Sequence, residues 1–404
     1  MSRRTRRSAS LAAGIALAAA VISVPLAGQA QRAIAPPLVI TAFGDKPAPR
    51  YVAPKTPWGE PDLQGVWSSD DNDGIPMSRP PQFGTRLYMN DQELAERAQR
   101  IQRGVQRAEN EATSTFRGDF GRRAFPQTSL IVDPPDGRMP AYTAEGQKRP
   151  MPRGTYGNGP LDWTTDFSLY ERCITRGILG SSLRVIYGNG QRIVQAPGIV
   201  ALTYEMVHDT RVIYTDGRPH VGQAIRQYLG DSRAHWEGDE LVVETTNLTD
   251  QTAIGVNGNG NRHSTQMKLT ERFKRVADDI VQYQVTIDDP VTYVRPFTIS
   301  YPLTPLDGGR LLPYDCHEGN FALKQALGGE RAEDAALAAD RARGINRPRR
   351  PVQDGLGVGG APVSQTGPGG LTGPGRGAGP GGGAAPGAGA GRGGDNPGAN
   401  DQER

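Results

Sequence analysis

The chain has 404 residues, with 46 Lys and Arg against 43 Asp and Glu for a formal net charge of +3, and it is rich in Gly (53) and Pro (33). Arg3, Arg4, Arg6 and Arg7 fall within residues 1–30, which hold no acid, so the remainder carries 42 basic against 43 acidic residues, a net charge of −1. That balance leaves no electrostatic case for nucleic acid as a partner.

Residues 1–30 read as a secretory signal peptide. A basic stretch precedes the apolar run Leu11 to Leu26, and Gly28-Gln29-Ala30 supplies small residues for cleavage after Ala30. The expected location is therefore exported, periplasmic or extracellular. The pair Arg3-Arg4 is followed by Thr5-Arg6-Arg7 rather than by apolar residues, which favours the general secretory route over twin-arginine export. No later stretch is long and apolar enough to span a bilayer, so no transmembrane segment is expected in the mature chain.

Residues 31–57 form a Pro-rich, extended linker. Residues 58–171 are expected to wrap the main domain. They begin with a strand at Asp62-Leu63-Gln64-Gly65-Val66-Trp67 and include one helix over 90–112. Leu94, Ala98, Ile101, Val105, Ala108 and Ala112 recur there at spacings of three and four, and Asn90 with Glu93 has the pattern of a capping box. The Pro-, Gly- and Arg-rich run to residue 170 predicts long ordered loops.

From Leu183 the pattern changes to repeated strands and turns. Gly188-Asn189-Gly190 between LRVIY and QRIVQ predicts a hairpin. IVALTYEM, TRVIY, SRAHWE, ELVVETT, QMKLTERFKRV, IVQYQVTIDD and TYVRPFTIS follow, with turns at Asp216-Gly217, Glu237-Gly238-Asp239 and Asp278-Asp279. The even spacing predicts a mostly β fold, an antiparallel meander closing into an up-and-down barrel over residues 172–328. The Gly/Asn-rich run Ile254 to His263 is a candidate lid. Residues 329–346 predict a short helix or linker. The Gly/Pro/Ala-rich stretch 347–404 has too little large apolar surface to offset chain entropy, and predicts a disordered tail available for envelope contact.

Cys173 and Cys316 are the two cysteines. An even count in an exported chain predicts one disulfide, with a catalytic Cys316 thiolate beside His317 as the alternative. The five histidines form no His-x-x-x-His or His-Glu-x-x-His pair, so no metal and no cofactor is expected. If the protein is an enzyme, acid–base candidates are His208, His220 and His317 paired with Asp209, Asp231 or Glu318. Glu271 shares a strand face with Met267, Leu269 and Phe273. Arg295 shares one with Tyr293, Phe297 and Ile299. A charge on an apolar face needs a partner, so Glu271 and Arg295 are expected to meet inside the barrel as the polar floor of a ligand cavity. Tyr204, Tyr283, Tyr293 and Phe297 are the candidate walls, and Arg233 is a further ligand-binding candidate. Ser232 in Gly-Asp-Ser-Arg lacks the Gly-x-Ser-x-Gly elbow of a serine hydrolase.

The segments TPWGEPDLQGVW, YERC, LGDSRAHWEGDELVVETTN, ERFKRV, YQVTIDDPVTYVRPFT and CHEGN resemble a widespread family of exported bacterial proteins of unknown function, over roughly Thr56 to Gly328. That family has no established activity and supplies no catalytic residues. Gly65-Val66-Trp67 and the run of hairpins are also similar to lipocalin-like barrels, which implies a cavity for a small hydrophobic ligand. The resulting expectation is an exported binder of a small apolar or amphipathic molecule in the barrel. A cofactor-free isomerase, dehydratase or hydrolase using the same cavity, and a structural envelope protein, are the alternatives.

Overall fold

A computed structural model describes residues 51–110, 121–150, 161–185, 187–255, 260–306 and 308–349. The signal-like segment, most of the Pro-rich linker, the Gly/Pro/Ala-rich tail from residue 350 and the centre of the candidate lid lie outside the described residues.

Among the described residues the β-branched and aromatic runs form ten strands: β1 (Gly65–Ser68), β2 (Ile131–Asp133), β3 (Gly190–Ala196), β4 (Ile199–Tyr204), β5 (Thr210–Tyr214), β6 (Asp231–Glu237), β7 (Glu240–Thr246), β8 (Lys268–Ala277), β9 (Ile280–Asp288) and β10 (Phe297–Pro305). Nine close into a barrel in the order β1-β3-β4-β5-β6-β7-β8-β9-β10, with β1 returning to β10. Both free edges of the sheet are thereby removed. β2 is the tenth strand. It pairs with β10 at Thr298 and Ile299, on the edge that β1 occupies further along at Thr304 and Pro305. The Trp67 strand is thus the stave that closes the barrel.

An odd number of strands cannot close with every neighbour antiparallel. One joint must be parallel, and it falls at β5–β6, where Tyr214 pairs with Arg233. The wholly antiparallel meander expected from the turn signals is corrected at this point. Asp216-Gly217 bends the chain, but residues 215–230 cross over instead of folding straight back, as parallel neighbours require. Asn247 clamps this crossover from a left-handed backbone (φ 59°), donating to the carbonyls of Gly222 (2.9 Å) and Ile225 (2.8 Å). A second correction concerns LRVIY, whose described residues form no strand. The Asn189 side chain accepts from the Val185 N–H at 2.7 Å and donates to the Val185 carbonyl at 3.0 Å, closing a loop where a hairpin was expected.

Among the described residues four α-helices accompany the barrel: α1 (Asp91–Asn110), the helix expected over 90–112, α2 (Ala144–Lys148), α3 (Gly177–Ser182) and α4 (Ala322–Ala342), which overlaps the short helix or linker expected at 329–346. The capping box of α1 is reciprocal. Asn90 Oδ1 accepts from the Glu93 N–H at 2.9 Å, and Glu93 Oε2 accepts from the Asn90 N–H at 2.8 Å. Arg97 docks this helix by donating to the carbonyls of Phe125 and Gln127, both at 2.6 Å. α3 is buried throughout, and its Ser182 carbonyl accepts from the Tyr301 hydroxyl inside the barrel at 2.6 Å, so α3 plugs one barrel end. No helix among the described residues is long and apolar enough to cross a membrane.

Alternation sends Leu202, Arg211, Val243, Glu271, Tyr283, Ile299 and Tyr301 inward, and none of these is more than 3% exposed. A ligand-sized void would leave its walls open to water. Instead the Tyr283 ring lies 4.9 Å from Phe273 and 5.1 Å from Tyr301, centroid to centroid. The middle of the barrel is filled by its own side chains.

Candidate functional site

The plugged end carries a pocket of about 390 Å³. One wall is the β4–β5 turn, through Val207 and His208. The opposite wall is the stretch Tyr314 to Glu318, and the Cys173–Cys316 disulfide joins the two sides (Cα–Cα 5.7 Å). The disulfide expectation therefore holds, and Cys316 is no thiolate nucleophile. His208 and, from a distant part of the sequence, the adjacent His317 and Glu318, three acid–base candidates, line the same pocket, with Asp315 beside them.

Several contacts fix this arrangement. Glu205 Oε2 accepts from the Gly190 N–H and Oε1 from the Leu312 N–H, both at 3.1 Å, so one buried carboxylate ties β3 to the segment after β10. The approach is close: a Cβ at residue 190 would stand 2.6 Å from Glu205 Oε2 and 2.7 Å from Leu311 Cδ2, so a larger residue there displaces those side-chain ends. The Tyr314 N–H donates to His208 Nε2 at 2.9 Å, which places the proton of the neutral ring on Nδ1. Of the four non-glycine residues with positive φ among the described residues, three (Cys173, Val207 and His208) form this pocket. Val207 at φ 64° is the costliest, because a β-branched side chain crowds its own carbonyl in the left-handed region. Strain held by a disulfide and clustered at one concave site is a mark of a pre-organised site.

Asp209 turns away from the pocket. It accepts from the Thr175 hydroxyl at 2.6 Å, and burial raises its pKa despite that bond and one from the Arg176 N–H. Its role is to hold the β4–β5 turn against the entry to α3.

The expected Glu271–Arg295 pair does not exist. β10 begins only at Phe297, because Pro296 cannot donate to a ladder and restrains the residue before it, so Arg295 lies in an exposed bend. Glu271 is instead met by Arg211, with Oε2 to Nη2 at 2.5 Å and Oε1 to Nη1 at 2.9 Å. Ser232 and Thr245 accept from the same guanidinium at 3.0 and 3.1 Å, and the Tyr283 hydroxyl donates to Glu271 at 3.0 Å. Tyr204 accepts from Arg211 at 3.2 Å. Tyr293 and Phe297 pack ring against ring at 5.3 Å. The wall candidates are thus buried core residues, and two of them, Tyr204 and Tyr283, bond the ion pair directly. Arg211 was hidden because it stands at the second residue of a short strand whose face is ambiguous by alternation.

His220 and Asp231 form a second cluster at the crossover. His220 Nδ1 lies 2.8 Å from Asp231 Oδ2, and Arg233 reaches Oδ1 of the same carboxylate at 2.7 Å. The Val221 N–H also donates to Asp231 at 3.1 Å. Arg233 further donates to the Pro219 carbonyl at 3.0 Å, so the cluster pins the returning chain to β6.

His263, the most buried histidine, bonds Thr252 Oγ1 through Nε2 at 2.9 Å and the Ser264 carbonyl through Nδ1 at 3.1 Å. Burial lowers its pKa. No group of three or more His, Cys, Asp or Glu side chains among the described residues is placed to hold a metal ion.

No family model matches the chain, and neither curated proteins nor solved structures provide a match.

Proposed function

We propose that this is an exported small-molecule-binding protein whose site is the disulfide-braced pocket at the plugged end of the barrel. The observation that carries this reading is the convergence, in one concavity, of two histidines, two carboxylates and a tyrosine on a covalently fixed and locally strained frame. The filled barrel supports moving the expected binding site from the interior to this mouth. Export is supported by the signal-like residues 1–30 and by the disulfide, and membership of an exported bacterial family by the motifs quoted above.

Native mass spectrometry of the protein purified from its own envelope tests the reading. A co-purifying small molecule is expected, lost from Tyr314→Ala and His317→Ala variants that keep the wild-type Tm. A bound molecule retained by both variants contradicts the pocket as its site.

One observation favours an acid–base enzyme as the second reading: the His220–Asp231 pair, in which a carboxylate fixes the imidazole. A molecule released chemically changed by the wild type, and unchanged by a folded His220→Asn variant, supports it. Equal turnover by both removes it.

A further inference from the structure

We infer that the pocket's ligand is a small carboxylate and that Arg176, which stacks on the ring next to the pocket-lining Tyr314, holds its acid group; this rests on the pocket being the binding site. Four arginines are buried among the described residues: Arg79, Arg97, Arg176 and Arg211. Three have acceptors. Arg211 has Glu271, Arg97 has two carbonyls, and Arg79 donates to Ser129 Oγ at 3.2 Å and to the Pro135 carbonyl. Arg176 is the exception. It is 1% exposed, and Nε, Nη1 and Nη2 all lack a hydrogen-bond partner.

Its surroundings are tyrosines. The guanidinium stacks over Tyr170 at 5.5 Å, and the other described groups acting on it electrostatically are Tyr314 and Tyr187, with no carboxylate among the described residues that do so. Burial lowers its pKa only to about 10, so it is a cation at neutral pH. A buried guanidinium is stable when its forked donors meet an anion, and stacking on one ring offsets only part of its lost hydration. A fold that places such a group beside a pocket sacrifices stability for recognition.

Tyr314 connects the two sites. It lines the pocket, and its hydroxyl stands 3.4 Å from that of Tyr170, the ring on which Arg176 rests. The Tyr314 N–H is held by His208 and Cys316 by the disulfide, so ligand entry requires the Tyr314 side chain to turn aside on a fixed frame. A carboxylate entering there meets the fork of Arg176, and its other end faces the exposed Asp315 and Glu318 at the rim. Those rim acids repel a second anionic group and attract an amine. The favoured ligand is therefore an amino-acid-like zwitterion, acid inward and amine outward.

Calorimetric titration of the full mature chain with 4-(aminomethyl)benzoate, benzoate, terephthalate, 4-(aminomethyl)benzamide and inorganic phosphate tests this. The expected order of affinity is 4-(aminomethyl)benzoate, benzoate, then terephthalate, with no binding of the amide and weak binding of phosphate. Arg176→Met is expected to weaken the carboxylates at least ~30-fold while its ligand-free Tm equals or exceeds that of the wild type. Arg176→Lys, which keeps the charge and loses the fork, is expected to fall between. A lower Tm for Arg176→Met with carboxylate binding unchanged makes Arg176 structural and overturns the inference. Amide and carboxylate binding equally, both lost in His317→Ala and neither in Arg176→Met, leaves the pocket standing and overturns the carboxylate assignment. No binding by any of the five compounds overturns the pocket reading itself.

Discussion

At the scale of single residues, the interior ion pair behaves as a unit. Removing one partner leaves the other buried and uncompensated, so Glu271→Leu alone or Arg211→Met alone is expected to cost about 3–5 kcal/mol. The double variant Arg211→Met with Glu271→Leu is expected to recover much of that loss, because an apolar pair needs no hydration. Urea unfolding of the four proteins of the cycle checks this, and additive losses would show that the pair is uncoupled. Val207 makes the opposite case. Asn tolerates its left-handed backbone better than a β-branched residue does, so Val207→Asn is expected to stabilise by up to ~1 kcal/mol. A drop in Tm would place the favourable contacts of the Val207 side chain above its strain. His263 sets a pH limb. Its folded-state pKa lies below the ordinary 6.5, so its contribution is full above pH 6.5 and is lost as pH falls through the lowered value. His263→Gln is expected to flatten the fall in Tm below pH 6.5, and an unchanged slope would assign the limb to other groups. Glu271 was legible as an inward charge from alternation alone. Its partner was not, because alternation across Tyr293, Arg295 and Phe297 assumed a ladder that Pro296 prevents.

At the scale of elements, the hairpins were legible where turn residues joined two runs of equal length. β6–β7 and β8–β9 fold back at the expected turns. They were misread where a turn signal had no partner strand, at Asn189 and at Asp216-Gly217. A side-chain clamp in the first case and the parity of the barrel in the second decide the path, and both are long-range facts. The stretch after β10 depends on its tether. The disulfide closes a loop across 143 residues. Loop entropy puts its contribution at about 5 kcal/mol at most, and native domains commonly lose 2–5 kcal/mol without such a bond. A Cys173→Ser, Cys316→Ser double variant is expected to lose stability in that range in denaturant and to lose pocket binding even where the barrel remains folded. Retained binding in that variant would show that Glu205 and His208 hold the segment unaided.

For the molecule as a whole, mostly β content and the single cysteine pair could be read from the chain, and so could the pocket histidines as candidates. The location of the site could not. Whether a barrel is hollow depends on how nine inward faces fill their shared volume, and no strand alone carries that information. The filled interior makes the barrel a rigid support. The pocket lies at its plugged end, where α3, the β4–β5 turn and the segment around Cys316 meet. Chemical-shift mapping of the isotope-labelled mature chain with 4-(aminomethyl)benzoate locates the site most directly. The expected result is a compact set of shifts at Arg176, Val207, His208 and residues 314–318, with Leu202, Val243, Val285 and Ile299 unmoved. Shifts centred on those four interior residues would return the ligand to the barrel and contradict a filled core with its binding site at the mouth.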